Sequence, residues 1–480
     1  MKSCMERKDK QMAEKKKTGA EKLREKLFMQ KENGCKAAGE KAVDAADAFC
    51  EDYKKFLNRA KTERLAVAAA IKLAEKAGFV PFDPKKTYQP GQRVYVNNRD
   101  KAAIFAVMGK RPVEEGVRIS AAHIDSPRLD LKPNPLYESD ELALFKTHYY
   151  GGIKKYQWTA IPLALHGVVV KKDGKRVEVS VGEQADEPCF VVTDLLPHLA
   201  TEQSKRTLAG GIKGEELNIL VGSRPFKADE GSELVKLNIL HILYEKYGIK
   251  EEDFLSAELE CVPAFEAKDL GLDRSMIGGY GHDDRVCAYP ALRAALDVED
   301  PEYTAVTILA DKEEIGSEGN TGLQSKYFVY FINDLAASQG GEGYRALSRS
   351  QCLSADVNAA FDPTFPDVME KRNAAQLNRG VVITKYTGSR GKSGTSDASA
   401  EYMARIRALL DKNDVIWQTG ELGKVDMGGG GTVAMYIANL DVDVVDLGVP
   451  VLSMHAPFEV VAKLDVYMAY KAMLAFYSEA

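Results

Sequence analysis

Hydrophobic and polar positions alternate along this chain in blocks that predict helices and strands in turn. Apolar residues recur at helical spacing from Val43 to Ala77, and Gly78 follows as a stop. Short β-branched and apolar runs predict strands, and amphipathic stretches such as 286–296 and 398–410 predict helices between the later ones. A closing helix is predicted from about Phe458. This alternation is typical of an α/β fold, a mostly parallel central sheet covered by helices. The predicted strands of this part are 93–96, 103–108, 117–122, 257–265, 306–309, 381–385 and 444–448.

The middle of the chain follows another pattern. The runs 163–170 and 176–181 flank an Asp-Gly turn, which predicts a β-hairpin. Because the α/β pattern resumes later, we expect a mostly β domain over 129–250, inserted into a discontinuous domain of 1–128 and 251–480. The rest of this block is predicted to hold a strand near 190–193, a loop or mobile segment over 203–230 and a helix over 234–247.

Composition narrows the class of protein. The 480 residues are 45% hydrophobic and 28% charged, with a net charge of −6, so neither a nucleic-acid nor a membrane partner is expected. The basic start of the chain has no apolar segment after it, and residues 1–40 predict a solvated N-terminal helical extension. The seven cysteines are scattered and form no CxxC pair, which is typical of a reduced, cytoplasmic setting.

Reactive side chains follow two of the predicted strands. Glu313 and Glu314 come just after the run 306–309, and His123 and Asp125 follow the run 117–122. Open α/β sheets bind their ligands at strand ends, and residues two apart in extended chain share a face. Taken singly, each pair also has an ordinary explanation, as a solvated acidic turn or a surface ion pair.

Three further residues occupy comparable places. Asp283 stands just before a predicted helix, where it could also be a simple cap, while Asp356 and His455 follow apolar runs. Two imidazoles and three carboxylates suit a pair of Zn²⁺ or similar ions with one bridging carboxylate. Glu313 is then free to act as general base and acid beside the ligand Glu314. The candidate metal ligands are His123, Asp283, Glu314, Asp356 and His455.

Together these motifs resemble the aspartyl aminopeptidase family, which includes vacuolar aminopeptidase I, among the cocatalytic-zinc exopeptidases. The resemblance covers most of the chain beyond about residue 45, with the order and spacing of the motifs preserved. The matching segments are SAAHIDSP at 120–127, HDDR at 282–285, EEIGS at 313–317, SAD at 354–356 and SMH at 453–455.

The resemblance implies two divalent ions per subunit, with Zn²⁺ expected and Co²⁺ or Mn²⁺ as alternatives. His123 and Asp356 would bind one ion, and Glu314 and His455 would bind the other. Asp283 would bridge the two.

The resemblance also implies roles for residues that bind no metal. Asp125 would orient His123, and Glu313 would carry the proton from the attacking water to the leaving amine. His198 matches a family histidine that reaches into a neighbouring subunit's site to steady the oxyanion, although it could equally be an ordinary loop histidine. The inserted domain would mediate dimerisation, and the dimers would build a hollow tetrahedral dodecamer.

The chain departs from the family pattern after Asp356. Aspartate-specific members have a His-rich run there, where this chain has VNAAFDP at 357–363. A preference for acidic N-terminal residues therefore stays open. Lys385, Arg390 and Lys392 could receive an acidic side chain, or they could be solvated loop residues.

We therefore expect a cytoplasmic metalloaminopeptidase that removes N-terminal residues from peptides. Two alternatives stay open: a related dinuclear-metal carboxypeptidase or deacylase with the same ligands, and a non-catalytic metal-binding assembly protein. The intact Glu313 argues against the second, because a structural metal site needs no free base.

Overall fold

The computed structural model describes residues 17–29, 32–227 and 230–479, which form two large sheets from different parts of the chain. The predicted N-terminal extension is helical over Gly19–Leu27 and Gly34–Ala38, and the rest of that prediction, at 1–16 and 30–31, lies outside the described residues. The first of these helices begins at a capping box between Thr18 and Glu21 and buries none of its residues. It is therefore a solvated extension, as its mixed charges predicted.

The nine-stranded sheet is mixed, with parallel strands at its centre. Three of the strand pairs are antiparallel. The four central strands, from Thr304–Ala310 to Asp443–Gly448, run parallel to one another. The α/β prediction is confirmed. In order across the sheet the strands are Val80–Pro81, Arg93–Asn98, Ala102–Val107, Thr304–Ala310, Val117–His123, Gln351–Ser354, Asp443–Gly448, Val381–Thr384 and Trp417–Thr419.

Helices cover both faces of this sheet. Strand Thr304–Ala310 is buried along its whole length, and its successive side chains enter two separate apolar cores because neighbours in a strand point to opposite faces. Ala305 and Leu309 enter one core, and Val306 and Ile308 enter the other. The first core is closed by helices Glu40–Arg59, Glu63–Lys76, His282–Asp297, Ala400–Lys412 and Lys463–Ser478, and the second by Tyr327–Ala337, Gly343–Ser348 and Ala434–Ala438.

The seven-stranded sheet is antiparallel throughout and has its own core around the fully buried Trp158. The predicted hairpin and the predicted helix Leu234–Tyr247 are both present. Strand Ile219–Gly222 lies inside the predicted loop over 203–230, because its apolar side chains pair with the sheet. Strand Ala257–Pro263 also belongs to this sheet, which therefore extends past residue 250. The strand order is Arg176–Val181, Leu163–Val170, Ala257–Pro263, Arg128–Ser139, Leu142–Tyr150, Ile219–Gly222 and Val191–Val192.

Two small sheets complete the fold. Strands Lys268–Leu270, Met276–Gly279 and Glu459–Ala462 form one, and Asn358–Ala359 with Pro450–Val451 form the other. The last helix begins at Lys463, so its predicted start near Phe458 is wrong: the β-branched Val460 and Val461 pair with Met276–Gly279 instead. In the described ranges, no helix is both long enough and apolar enough to cross a membrane. The short helices are Val113–Glu115, Lys155–Trp158, Pro197–Leu199, Thr201–Ser204, Leu208–Gly210, Gly214–Glu216, Glu251–Ser256, Glu313–Ile315 and Pro366–Val368.

Candidate metal centre

The central parallel strands bring the candidate residues to one edge of the nine-stranded sheet. Strand Val117–His123 ends on His123, and the neighbouring Thr304–Ala310 leads into the turn that carries Glu314. Strand Gln351–Ser354, on the other side, leads to Asp356. Because these strands run parallel, their carboxyl ends lie side by side, and residues far apart in sequence meet there.

The carboxylate of Asp283 lies between two imidazoles. Its Oδ1 is 3.1 Å from His123 Nε2, and its Oδ2 is 3.2 Å from His455 Nε2. A second carboxylate accompanies each ring: Asp356 Oδ1 is 3.9 Å from His123 Nε2, and Glu314 Oε2 is 3.5 Å from His455 Nε2. The structure thus brings all five candidate ligands together, with Asp283 in the middle.

These residues fit a pair of divalent ions. Tetrahedral zinc, with bonds of about 2.0–2.1 Å to nitrogen and oxygen, places neighbouring ligand atoms roughly 3.3 Å apart. The separations of 3.1–3.9 Å around Asp283 match such shells. In addition, Glu314 Oε1 is buried and has no hydrogen-bond partner, as expected of an oxygen that binds a cation.

The electrostatics of the site call for positive charge. Burial raises the pKa of Glu314 and of Asp356 well above the usual range, and neighbouring carboxylates raise both further. Burial also opposes the charge of Asp283, but hydrogen bonds with His123 and His455 outweigh it and hold the pKa of Asp283 below the usual range. Buried carboxylates this crowded need a compensating cation, and a divalent ion supplies one.

Asp125 ties the ligand segments together. Its Oδ1 accepts a hydrogen bond from the backbone N–H of Glu313 at 3.2 Å, and its Oδ2 accepts one from Glu314 at 3.2 Å. The Tyr150 hydroxyl donates to the same Oδ2 at 2.8 Å. Because the His123 ring also faces Asp125, with Nδ1 3.3 Å from Oδ1 and 3.0 Å from the backbone carbonyl, one carboxylate positions three site residues.

Glu313 lies beside the candidate ligands, at the border of the cleft. Its Oε2 is 3.9 Å from His123 Nε2. Burial raises the pKa of Glu313 to about 7, with Asp125 and Asp283 adding to the effect. A carboxyl group in this place is suited to accept and return a proton.

Two groups that hold the candidate ligands in place are not apparent from the sequence, because their contacts involve main-chain atoms. The Glu459 carboxylate accepts the N–H of Asp283 at 3.1 Å and the N–H of His455 at 2.7 Å. The Gly152 carbonyl lies 2.7 Å from His455 Nδ1. Glu459 stands in a segment predicted as helix, and a carbonyl leaves no side-chain signal in a sequence.

The sequence did not single out Asp284 either, although it stands inside the HDDR motif. Asp284 Oδ2 accepts the backbone N–H of His123 at 3.3 Å, and the peptide bond between Asp283 and Asp284 is cis. Asp284, His123 and Asp356 also place ligand atoms within 4.8 Å of one another. The doubled aspartate in HDDR was the available signal.

The candidate ligands and Glu313 open onto a cleft of about 1270 Å³. Two of the three basic residues Lys385, Arg390 and Lys392 border this cleft, namely Arg390 and Lys392, and Lys392 pairs with Asp397 at 2.9 Å. Lys385 pairs with the same Asp397. His198 is exposed in Pro197–Leu199 and lies outside the cleft walls of its own chain.

The sequence of the chain matches a known protein family. The family model for aminopeptidase I zinc metalloproteases (M18) matches residues 56–477. The chain belongs to the M18 family. The resemblance seen in the motifs is confirmed, and the protein is a metal-dependent aminopeptidase that hydrolyses N-terminal residues from peptides.

Relatives of this M18 aminopeptidase match over nearly their whole length. A probable M18 family aminopeptidase 1 of Clostridium acetobutylicum is 50% identical over 458 residues, covering 94% of this chain and 98% of that one. The crystal structure of aminopeptidase I from the same organism has a TM-score of 0.89 at 49% identity, covering 94% of this chain and all of that one (100%). An M18 aminopeptidase structure from Thermotoga maritima also has a TM-score of 0.89, at 43% identity and with coverage of 94% and 100%.

A more distant structure shares the fold. The S. cerevisiae mApe1 dodecamer has a TM-score of 0.73 at 20% identity, covering 90% of this chain and 97% of that one. Neither of the alternatives kept open from the sequence, the carboxypeptidase or deacylase and the non-catalytic assembly protein, is favoured by these relatives.

Proposed function

We propose that this M18 aminopeptidase works with two divalent ions, zinc in the simplest case, and with Glu313 as the group that moves protons. The observation that carries the proposal is the Asp283 carboxylate, which presents one oxygen to each of two imidazoles. A carboxylate in that position can bridge two ions, whereas a single structural site would use it from one side.

The remaining ligands divide between the two ions by their distances. His123 and Asp356 complete one site, and Glu314 and His455 complete the other, with Asp283 shared. Cobalt and manganese bind to the same nitrogen and oxygen donors, so the donor set alone does not select zinc. The choice of zinc rests on the match to a zinc metalloprotease family.

The chain's own groups account for the proton transfers. When bound, the ions supply a Lewis acid that makes a water molecule nucleophilic near neutral pH and polarises the scissile carbonyl. Glu313 receives the proton from that water and returns it to the nitrogen of the leaving amine. Asp125 keeps Glu313 in place by accepting its backbone N–H, and so aims its carboxylate at the cleft.

The substrates are peptides, and we do not extend the proposal to a preference for acidic N-terminal residues. Lys385 and Lys392 share Asp397, which offsets the charge that they would present to an acidic side chain. The cleft wall also includes apolar side chains such as Phe365, Val368 and Val425, which suit neutral residues.

The seven-stranded sheet is proposed to be an inserted dimerisation domain. Its strands run from Arg128 to Pro263, which moves the proposed end of the domain from residue 250 to about 263. Exposed leucines on this unit, Leu195, Leu196 and Leu199, are the kind of surface that a partner covers.

Higher assembly follows the same proposal. The dodecamer of the yeast relative supports a dodecamer built from dimers, tetrahedral in arrangement, for this chain. His198 stands within the exposed segment 195–199 and would reach a neighbouring subunit's cleft to steady the oxyanion. We further propose a reducing, cytoplasmic setting, supported by the six unpaired cysteines of the described ranges.

The adjacent pair Glu313 and Glu314 gives the test of the proposed centre. Glu313→Gln should keep both ions but lose turnover by about 10²–10⁴-fold, since it removes the proton carrier. Glu314→Gln should lose one ion, because it removes a charged ligand. The measurements are bound zinc per subunit and hydrolysis of aminoacyl chromogenic substrates, with and without chelator. Normal hydrolysis by Glu313→Gln would overturn the assignment of the base.

A further inference from the structure

The turn from Tyr150 to Gly152 joins the two large units at the metal centre. Tyr150 ends strand Leu142–Tyr150 of the seven-stranded sheet, whereas the candidate ligands lie at the edge of the nine-stranded sheet. The Tyr150 hydroxyl nevertheless donates to Asp125 Oδ2 at 2.8 Å, and the Gly152 carbonyl accepts from His455 Nδ1 at 2.7 Å. One short turn therefore contacts Asp125, which faces the His123 ring, and also contacts the His455 ring directly.

The contact at Gly152 decides which nitrogen of His455 can bind a metal. A carbonyl only accepts hydrogen bonds, so Nδ1 must carry a proton, and Nε2 is the nitrogen that can bind a metal. Nε2 is the atom that faces Asp283 and Glu314. A hydrogen bond on the far nitrogen fixes the tautomer and the rotation of a metal-binding ring.

The contact at Tyr150 acts on the other side through Asp125. The Asp125 carboxylate faces the Nδ1 of His123 while it accepts the Tyr150 hydroxyl and two backbone N–H groups. A carboxylate that accepts several hydrogen bonds has little freedom to rotate, so the Tyr150 hydroxyl helps to hold the Asp125 carboxylate against the His123 ring.

Glycine is required in this turn because the main chain packs directly on two ligands. Gly151 has a φ of +74°, and a Cβ there would lie 3.2 Å from Glu314 Oε2 and 3.3 Å from Glu314 Cβ. A Cβ on Gly152 would lie 3.3 Å from His455 Nδ1, which is closer than ordinary contact. Any larger residue would push against Glu314 or His455.

The base of the turn is fixed to both units. Arg128, which pairs with Tyr150 across two strands, lies over the Tyr150 ring with its guanidinium carbon 3.9 Å from the centroid. Its guanidinium is 3.4 Å from Glu63, on a helix of the nine-stranded unit, and 3.3 Å from Glu260, in the seven-stranded sheet. The position of the turn therefore depends on how the two units pack.

We propose that Tyr150 and Gly152 are positioning residues through which the seven-stranded unit sets the metal affinity of the centre. This inference rests on the ligands assigned under the proposed function. Its consequence is that the two units are coupled: a change in the packing of the seven-stranded sheet alters how tightly the other unit holds zinc.

The test uses the full chain and zinc itself as the probe. Tyr150→Phe removes the hydroxyl, and Gly152→Ala adds a methyl group against His455. Tyr149→Phe, next to the turn and 40% exposed, and Gly214→Ala, whose new methyl group would make only ordinary contact 3.4 Å from Tyr149, are the matched controls. Zinc dissociation constants are measured by competition with a chelator, and the Co²⁺-loaded protein is examined by its visible absorption spectrum.

Tyr150→Phe and Gly152→Ala should each weaken zinc binding by about 10- to 100-fold, the usual effect of losing a support of a metal ligand, and should change the Co²⁺ spectrum. Tyr150→Phe also loses a hydrogen bond to a buried carboxylate, so the thermal midpoint of its zinc-free form should fall slightly. The controls should keep the zinc affinity and the Co²⁺ spectrum of the parent. Parental zinc affinity in both variants would overturn the proposal, as would a lowered midpoint with unchanged affinity. If Tyr150→Phe fails to fold, Gly152→Ala decides alone.

His455→Ala separates this inference from the proposed function. If His455→Ala also binds zinc like the parent, the assigned centre is wrong. If His455→Ala loses zinc while both turn variants keep it, the centre stands and the positioning role of the turn is refuted.

Discussion

Replacing Asp125 by asparagine removes the charge on which three parts of the metal centre converge. The two oxygens of Asp125 face four donors: the N–H groups of Glu313 and Glu314, the Tyr150 hydroxyl and the His123 ring. Burial disfavours the charge, but the bonds from His123 and Tyr150 outweigh it and lower the pKa of Asp125. The native structure therefore holds this group as a carboxylate.

The cost of Asp125→Asn follows from the geometry of the amide. If the NH₂ group takes the Oδ2 position, the Tyr150 hydroxyl can turn to accept from it, but the N–H of Glu314 then has no acceptor. An unsatisfied buried donor costs about 1–3 kcal/mol, and each weakened charge-assisted bond costs about 1 kcal/mol more. The asparagine side chain is neutral, so the variant avoids the cost of burying a charge, and this offsets part of the loss. We therefore expect the free energy of unfolding to fall by about 3 kcal/mol.

The assay is urea unfolding of the zinc-free protein, followed by zinc titration. Because the pKa of Asp125 is below its usual value, its contribution is complete above the usual pKa of aspartate and is lost as the pH falls through the lowered one. The difference between parent and Asp125→Asn should therefore shrink in acid. Zinc affinity should fall by about 10- to 100-fold.

Asp311→Asn is the control for this experiment. Asp311 is also buried after a central strand, but burial raises its pKa to about 7, and Thr321 donates to it at 2.6 Å. A raised pKa costs stability as the pH rises, so this variant should be no less stable than the parent at pH 8. Equal unfolding midpoints for the parent and Asp125→Asn at neutral pH would refute the reasoning.

Three further substitutions test other parts of the site. Asp283→Asn should release zinc and abolish hydrolysis, and unchanged zinc content by atomic absorption would exclude a bridging role. Gly448→Ala would place a Cβ 1.7 Å from the carbonyl oxygen of Asp356, so we expect loss of zinc and at least about 3 kcal/mol of destabilisation, measured by urea unfolding. His198→Ala should lower kcat by about 10²-fold with zinc content unchanged, as expected for an oxyanion donor, and a parental kcat in the assembled enzyme would remove it from the mechanism.

The meeting of the five candidate ligands was predictable because each of them follows a local signal. The run before Glu313 and Glu314 is β-branched and apolar, so it forms a buried strand. The charged residues that follow therefore lie just beyond the end of that strand. The same holds for the strand that ends on His123. Parallel pairing at the centre of the sheet then brings the ends together, and that pairing follows from the alternation of strands and helices.

The supports of the centre were not predictable in the same way. Glu459 acts from a strand whose partner, Met276–Gly279, is remote in sequence, and an apolar pair such as Val460 and Val461 fits a helix as well as a strand. Gly152 contributes only a carbonyl. Long-range pairing and main-chain acceptors have no local pattern, so a single sequence does not reveal them.

The meeting of His123, Asp283, Glu314, Asp356 and His455 at one sheet edge has a consequence for how the enzyme matures. No fragment of the chain that lacks any one of these segments contains a complete site, and His455 is the last to be synthesised. If these five residues are the ligands, the complete site forms only after the intervening residues have brought their segments together. On that assignment, a chain whose ligand segments have not yet met lacks the site that the proposed peptidase chemistry needs.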